Sequence, residues 1–139
     1  MAIHESGEDY IETIYILKNK KGLVRSIDIA QELGFSRPSV SRAVGLLKDD
    51  GLITMAEDGE INLTEKGLKK AKKVYERHTT LTKFLRLVAG VNAEIAEKDG
   101  CRIEHILSPE TFKGIKEYMK THKDEVERLE LDEYHSVHF

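Results

Sequence analysis

A mainly α fold class is predicted by three features of the chain. Apolar residues recur at three- and four-residue intervals through most of the 139 residues. Helix starts are marked by a serine just ahead of a proline, at Ser36 with Pro38 and at Ser108 with Pro109. Only residues 51–64 break the pattern, with two short apolar runs flanking Glu57-Asp-Gly59 in the manner of a β-hairpin.

Composition agrees. Apolar residues make up 40 % and charged residues 34 % of the chain, the profile of a soluble, helix-rich protein. No apolar run is long enough to cross a bilayer, so no membrane association is expected. The N-terminus carries Glu5, Glu8 and Asp9 in place of a cationic-then-apolar leader. A lone cysteine excludes an internal disulfide framework and fits a reducing cytoplasm, the expected location. Net charge is −3. Residues 1–73 hold 12 Lys and Arg against 12 Asp and Glu, and the remainder 10 against 13. This balance permits nucleic-acid binding without announcing it. Two domains are expected, 1–73 and 74–139, sharing a long helix.

In chain order, the first helix is expected to start near Ser6, with Ser6 as N-cap and Asp9 at N3 as in a capping box. Tyr10, Ile11, Ile14, Tyr15 and Leu17 form its apolar stripe, and Lys18-Asn-Lys-Lys-Gly22 ends it. Asp9 and Glu12 lie to one side, where solvated acids favoured by the helix dipole are the simpler reading. Ser26 then caps a helix through Leu33, and Gly34 supplies a left-handed end. Ser36 caps the next helix, which carries Val40, Ala43, Val44 and Leu47 at core spacing. Two short helices joined through Gly34-Phe35-Ser36 form a helix-turn-helix, with Ile29, Ala30, Leu33, Phe35, Val40 and Ala43 as shared core.

The second helix of that pair exposes short hydroxyls and long cations suited to base edges and phosphates. Candidate DNA contacts are Arg25, Ser26, Ser36, Arg37, Pro38, Ser39, Ser41, Arg42 and Lys48. A generic helical hairpin with a charged face is the weaker alternative. The following ribbon, Gly51–Met55 and Glu60–Thr64, reads as the wing of a winged helix. Its acidic tip (Glu57, Asp58, Glu60) argues against strong phosphate contact.

Thr64 opens a long helix to about Ala89, with Leu68, Ala71, Val74, Tyr75, Leu81, Phe84, Leu85 and Val88 on its buried side and His78 midway. Asn92 caps a helix from Ala93 to about Ile106, and Ser108-Pro109 opens another with Phe112, Ile115, Tyr118 and Met119 on its apolar side. A last helix over 122–135 has a weaker pattern, and His135 and His138 read as tail residues.

The stretch Asp99-Gly-Cys-Arg-Ile-Glu-His105 carries the remaining chemistry. On a helix, Cys101, Glu104 and His105 share one face at i, i+3 and i+4. Three adjacent metal-competent groups of different softness are hard to explain by packing alone. One helix cannot surround an ion, so Asp9, Glu12 and His78 are the candidates to complete the set.

Five ordered stretches, Ser6-Gly-Glu-Asp-Tyr-Ile-Glu-Thr-Ile14, Val24-Arg-Ser-Ile-Asp-Ile-Ala30, Arg37-Pro-Ser-Val-Ser-Arg-Ala43, Leu63-Thr-Glu-Lys-Gly67 and Cys101-Arg-Ile-Glu-His105, closely resemble the metal-dependent repressors of the diphtheria toxin repressor and manganese transport regulator family. The resemblance covers nearly the whole chain. It implies an N-terminal winged helix-turn-helix followed by an all-helical dimerisation lobe, joined by a long shared helix, in the short two-domain form. It also implies a homodimer that represses from palindromic double-stranded operator DNA when Mn(II) or Fe(II) is bound, one or two ions per subunit, controlling metal-uptake genes. The matching ligand positions are Asp9, Glu12, His78, Cys101, Glu104 and His105. Asp9 follows the manganese pattern, whereas Cys101 follows the iron branch and admits Co(II) or Zn(II) in vitro. A metal-independent winged-helix regulator is one alternative. A small metallohydrolase is another, but no general base, Gly-rich phosphate loop or site for a small organic substrate is found.

Overall fold

The computed structural model describes residues 3–129, with side chains from residue 7 onward. The chain divides into two compact units, Met1–Tyr75 and Glu76–Phe139. Helix α4 (Glu65–Phe84) contains the division and contributes residues to both.

The first unit is built from α1 (Ile3–Lys21), α2 (Ser26–Leu33), α3 (Arg37–Asp49), the strands β1 (Ile53–Met55) and β2 (Ile61–Leu63), and the first half of α4. Tyr10, Ile11, Ile14 and Leu17 of α1 bury their stripe against Val24, Ile29, Ala30, Val40, Val44 and Leu47. Leu52, Ile53, Ile61, Ala71 and Val74 complete one continuous apolar core. Helix α1 begins three residues before Ser6, so Ser6 is not its N-cap. The Ser6-Gly7 pair reads locally as a cap and a breaker, yet Gly7 is buried within the helix, and tertiary burial outweighs the local signal.

Local chemistry fixes most other boundaries. Ser36 caps α3 by accepting the Ser39 N–H at 3.3 Å, with Pro38 in the first turn. Gly34 adopts φ 69° and returns its N–H to the Ala30 carbonyl at 2.9 Å. Ser26 is the first helical residue of α2 and not its cap. The cap position falls to Arg25, because the Asp28 carboxylate reaches back and accepts the Arg25 N–H at 2.8 Å. Phe35 also departs from expectation: its ring leans on Tyr10 with centroids 5.9 Å apart but stays 48 % exposed.

β1 and β2 pair antiparallel, Ile53 opposite Leu63 and Met55 opposite Ile61. Gly59, at φ 89°, turns the ribbon between them. The Ile61 N–H is donated to the Val24 carbonyl at 2.8 Å, tying the wing to the chain ahead of α2. At the base of the wing, Thr64 accepts the Gly67 N–H at 3.0 Å and donates its hydroxyl to the Gly51 carbonyl at 2.7 Å. Gly67 is obligatory there. A Cβ at this position would lie 1.9 Å from the Leu52 carbonyl oxygen.

The second unit contains the rest of α4, a π-helical turn (Leu85–Ala89), α5 (Ala93–Ile103) and α6 (Pro109–Thr121), with residues 123–129 again helical. The expected helix to Ala89 therefore ends at Phe84 and widens before Gly90. Asn92 caps α5 through the Ile95 N–H at 2.9 Å, and Ser108 caps α6 through the Thr111 N–H at 3.2 Å. Leu68, Tyr75 and Val88, placed on the buried side by periodicity, are 38, 40 and 53 % exposed. His135 and His138 lie outside the described residues.

Candidate metal centre and nucleic-acid interface

In the second unit, α4 and α5 approach closely where Gly100 faces Thr82. A Cβ on Gly100 would lie 3.1 Å from the Thr82 hydroxyl and 3.4 Å from its amide nitrogen. The Thr82 hydroxyl is itself turned back to donate to the His78 carbonyl at 2.8 Å. One helical turn from this contact in each direction stand His78 and Glu104, so the missing side chain at residue 100 sets them opposite each other.

His78 Nδ1 lies 3.5 Å from Glu104 Oε2, and His105 Nε2 lies 3.5 Å from Glu104 Oε1. Helix α5 closes at Ile103 instead of the expected Ile106, so Glu104 stands at its C-cap and His105 just beyond it. Their backbone is nevertheless fixed. The Glu104 N–H reaches the Gly100 carbonyl at 3.1 Å, and Arg77 Nη2 donates to the Leu107 carbonyl at 3.2 Å. Cys101, Glu104 and His105 each offer a ligand atom within 4.8 Å of the others, and His78 pairs with Glu104 within the same limit.

Glu104 is 1 % exposed and neither carboxylate oxygen accepts a hydrogen bond. Such a group is costly unless a cation faces it. A thiol, two imidazoles and a bare carboxylate form a donor set that fits a divalent transition metal. Glu97, outside the set that residue spacing singles out, places Oε1 4.0 Å from His78 Nε2. It lies one turn before Cys101, so the helical pattern contained that signal. In the first unit, Asp9 is half-buried and Glu12 is buried at 9 % exposure, where simple solvated acids would be open to water.

The candidate DNA residues gather in the first unit. Arg37, Pro38, Ser41, Arg42 and Lys48 are exposed on α3, Ser39 is half-buried, and Ser36 is exposed at its cap. Val40, Val44 and Leu47 are buried behind them. Ser26 and Arg25 are half-buried at the start of α2. Arg25 faces the wing: Nε donates to the Asp58 carbonyl at 3.0 Å and Nη2 to Asp58 Oδ2 at 3.3 Å. Lys18 engages the other wing acid, Glu60, at 3.2 Å.

Residues 2–61 match the family model of the iron-dependent repressor N-terminal DNA-binding domain. Residues 64–130 match that of the iron-dependent repressor metal-binding and dimerisation domain. The chain belongs to the iron-dependent repressor family. It is similar to an HTH-type transcriptional regulator of Methanocaldococcus jannaschii, 32 % identical over 123 residues, 88 % of this chain and 98 % of that protein. The HTH-type transcriptional regulator MntR of Lysinibacillus sphaericus is 38 % identical over 128 residues, covering 90 % of this chain and 91 % of that one. Among solved structures, the manganese regulator SloR aligns with a TM-score of 0.74 at 25 % identity, over 81 % of this chain and 53 % of that chain. The repressor thus spans little more than half the length of that structure.

This repressor is a metal-dependent transcriptional regulator of the diphtheria toxin repressor and manganese transport regulator group, not an enzyme. Its DNA-binding and dimerisation domains make it a DNA-binding homodimer. Among the described residues, no helix is long and apolar enough to cross a membrane.

Proposed function

We propose that this repressor responds to Mn(II), with Fe(II) the close competitor, through Asp9, Glu12, His78, Cys101, Glu104 and His105. The observation that carries the reading is the buried Glu104 carboxylate, without hydrogen bonds and flanked by two imidazoles. Carboxylates at 9, 12 and 104 suit a hard divalent ion, while Cys101 shifts preference toward softer ones. Six donors serve either one ion or a closely spaced pair. A bound divalent ion supplies the positive charge that offsets the buried Glu104 carboxylate.

The rest is done by the chain's own residues. Arg37, Arg42 and Lys48 supply cations along α3, and Ser36, Ser39, Ser41 and the start of α2 at Ser26 supply hydroxyls for phosphate and base contact. A homodimer carries two such helices, so its operator is palindromic. Genes of metal uptake are the proposed targets.

The test is fluorescence anisotropy under anaerobic conditions, using a labelled duplex selected from randomised DNA by the metal-loaded protein. Mn(II), Fe(II), Co(II) and Zn(II) are titrated separately against a chelated control at fixed salt, because phosphate contacts make affinity salt-dependent. Activation at the lowest free concentration by Mn(II) supports the reading. Activation by Fe(II) alone moves the assignment to iron, and equal affinity with metal and chelator ends the sensing proposal.

A further inference from the structure

The wing carries three acids at its tip, which reads as a surface that repels DNA, yet two of them are engaged by cations of the same unit. Lys18 Nζ reaches Glu60 Oε1 at 3.2 Å, Asn62 Oδ1 at 2.6 Å and the Gly22 carbonyl at 3.3 Å. Its three N–H donors therefore have three acceptors, and it is only 17 % exposed. Arg25 makes the matching contact at the tip. It holds Asp58 twice, through the backbone carbonyl and through the carboxylate. The other oxygen of Asp58 accepts the Glu60 N–H at 3.0 Å, so this one side chain both closes the turn and receives Arg25. Arg25 is itself fixed at its backbone, where Asp28 accepts its N–H at 2.8 Å.

We propose that Arg25 serves operator binding as a positioning residue that holds the wing tip through Asp58, and not as a phosphate ligand. The proposal rests on the DNA-binding reading of this unit. Asp58 takes two of the five guanidinium N–H donors, those of the Nε/Nη2 edge that would grip a phosphate with two parallel bonds, and its carboxylate stays beside the group as a competing anion. A wing whose tip is braced to the start of α2 instead presents a fixed shape beside α3, the helix that carries the free cations. Arg37, Arg42 and Lys48 have no such internal acid among the described contacts. The division of labour follows: α3 supplies charge, and Arg25 supplies geometry.

Two readouts test this with the full-length, metal-loaded protein. The first is the salt dependence of anisotropy on the wild-type-selected duplex for Arg25→Ala, Asp58→Ala and the double variant. A phosphate ligand contributes about one unit to the slope of log affinity against log salt. Positioning predicts that Arg25→Ala and Asp58→Ala each weaken binding several-fold. The Arg25→Ala slope stays as in wild type, and the double variant is no worse than either single one. Phosphate contact predicts the reverse: a slope smaller by about one for Arg25→Ala, and tighter binding for Asp58→Ala because an acid facing DNA is removed. That second pattern would overturn the proposal.

The other readout needs no DNA. Amide hydrogen exchange at residues 56–60 should accelerate in Arg25→Ala and Asp58→Ala while α3 amides are unchanged. Unchanged exchange at the wing tip also sinks the proposal. If the wild-type protein selects no duplex at all, the DNA reading itself has failed, and the exchange experiment still decides whether Arg25 braces the wing.

Discussion

The two units of this repressor differ in how much of their buried surface is apolar. In the first, seventy-odd residues gather one apolar cluster from Tyr10 to Val74, with Glu12 and Thr13 of α1 the buried polar side chains beside it. In the second, Leu81 and Ala96 are buried among the described residues, but so is the ionisable Glu104, at 1 % exposure. An apolar core stabilises a fold without help from outside, at roughly 25 cal/mol per Å² removed from water. A buried carboxylate flanked by imidazoles is stabilised by a cation that binds beside it. The first unit holds most of the apolar core, and the second holds the most deeply buried carboxylate. A family assignment of DNA binding to the former and of metal binding and dimerisation to the latter agrees with that division.

The contrast breaks most easily at Glu104. Replacing Glu104 or His78 with Ala should abolish metal-stimulated DNA binding while far-UV circular dichroism stays native. Retained stimulation in both variants would show that ion response lies elsewhere. In the wild-type protein, Mn(II) at a hundredfold excess over its dissociation constant should stabilise the fold by about 2.7 kcal/mol, and this gain should vanish in Glu104→Ala.

Two glycines sharpen the comparison further. Gly67→Ala drives a methyl group into the rigid Leu52 carbonyl of the first unit, and chemical denaturation should report a loss of about 3 kcal/mol. Gly100→Ala meets a rotatable Thr82 hydroxyl first, so its cost should be nearer 1 kcal/mol. Its main effect should be on metal affinity, read by calorimetric titration, because it spreads His78 from Glu104. A larger stability loss for Gly100→Ala than for Gly67→Ala would invert this ranking.

Smaller effects belong to single side chains of the first unit. Arg42→Ala should weaken operator binding by about 1–3 kcal/mol and leave the metal affinity of the free protein unchanged. Asp28 should give the smallest signal. The Lys21 ammonium, and then the Arg25 N–H, hold its carboxyl below the usual aspartate range. A depressed folded value means a stabilising contribution that is present above the unfolded aspartate value, about 4, and lost as pH falls through the folded value. Asp28→Asn should therefore be slightly less stable at neutral pH and lose less stability on acidification, as measured by thermal melts across that range.

Legibility from sequence followed the range of the interactions involved. Ser36, Thr64, Asn92 and Ser108 announce their helices because a cap bonds within three residues, and each makes that bond. Ser26 misled because Asp28 reaches backwards and moves the cap to Arg25. Leu68, Tyr75 and Val88 misled because helical period identifies a stripe without saying what, if anything, covers it. Within the candidate metal centre, the spacing of Cys101, Glu104 and His105 is visible as a pattern. What the pattern lacked was the reason His78 meets them, which is the pairing of Gly100 with Thr82 across two helices. The link from Arg25 to Asp58 spans 33 residues and no local rule contains it.

Lys18 has a consequence for chemical reactivity. An amine attacks an acyl donor only through a free lone pair, and an ammonium whose every proton is engaged must first break those contacts to release one. Lys18 is held by three oxygens, whereas Lys21, three residues on, is 51 % exposed and touches a single carboxylate. Acylating reagents applied to the native protein should therefore mark Lys20 and Lys21 before Lys18. Delayed labelling at Lys18 then becomes a gauge of whether the wing is still fastened to α1.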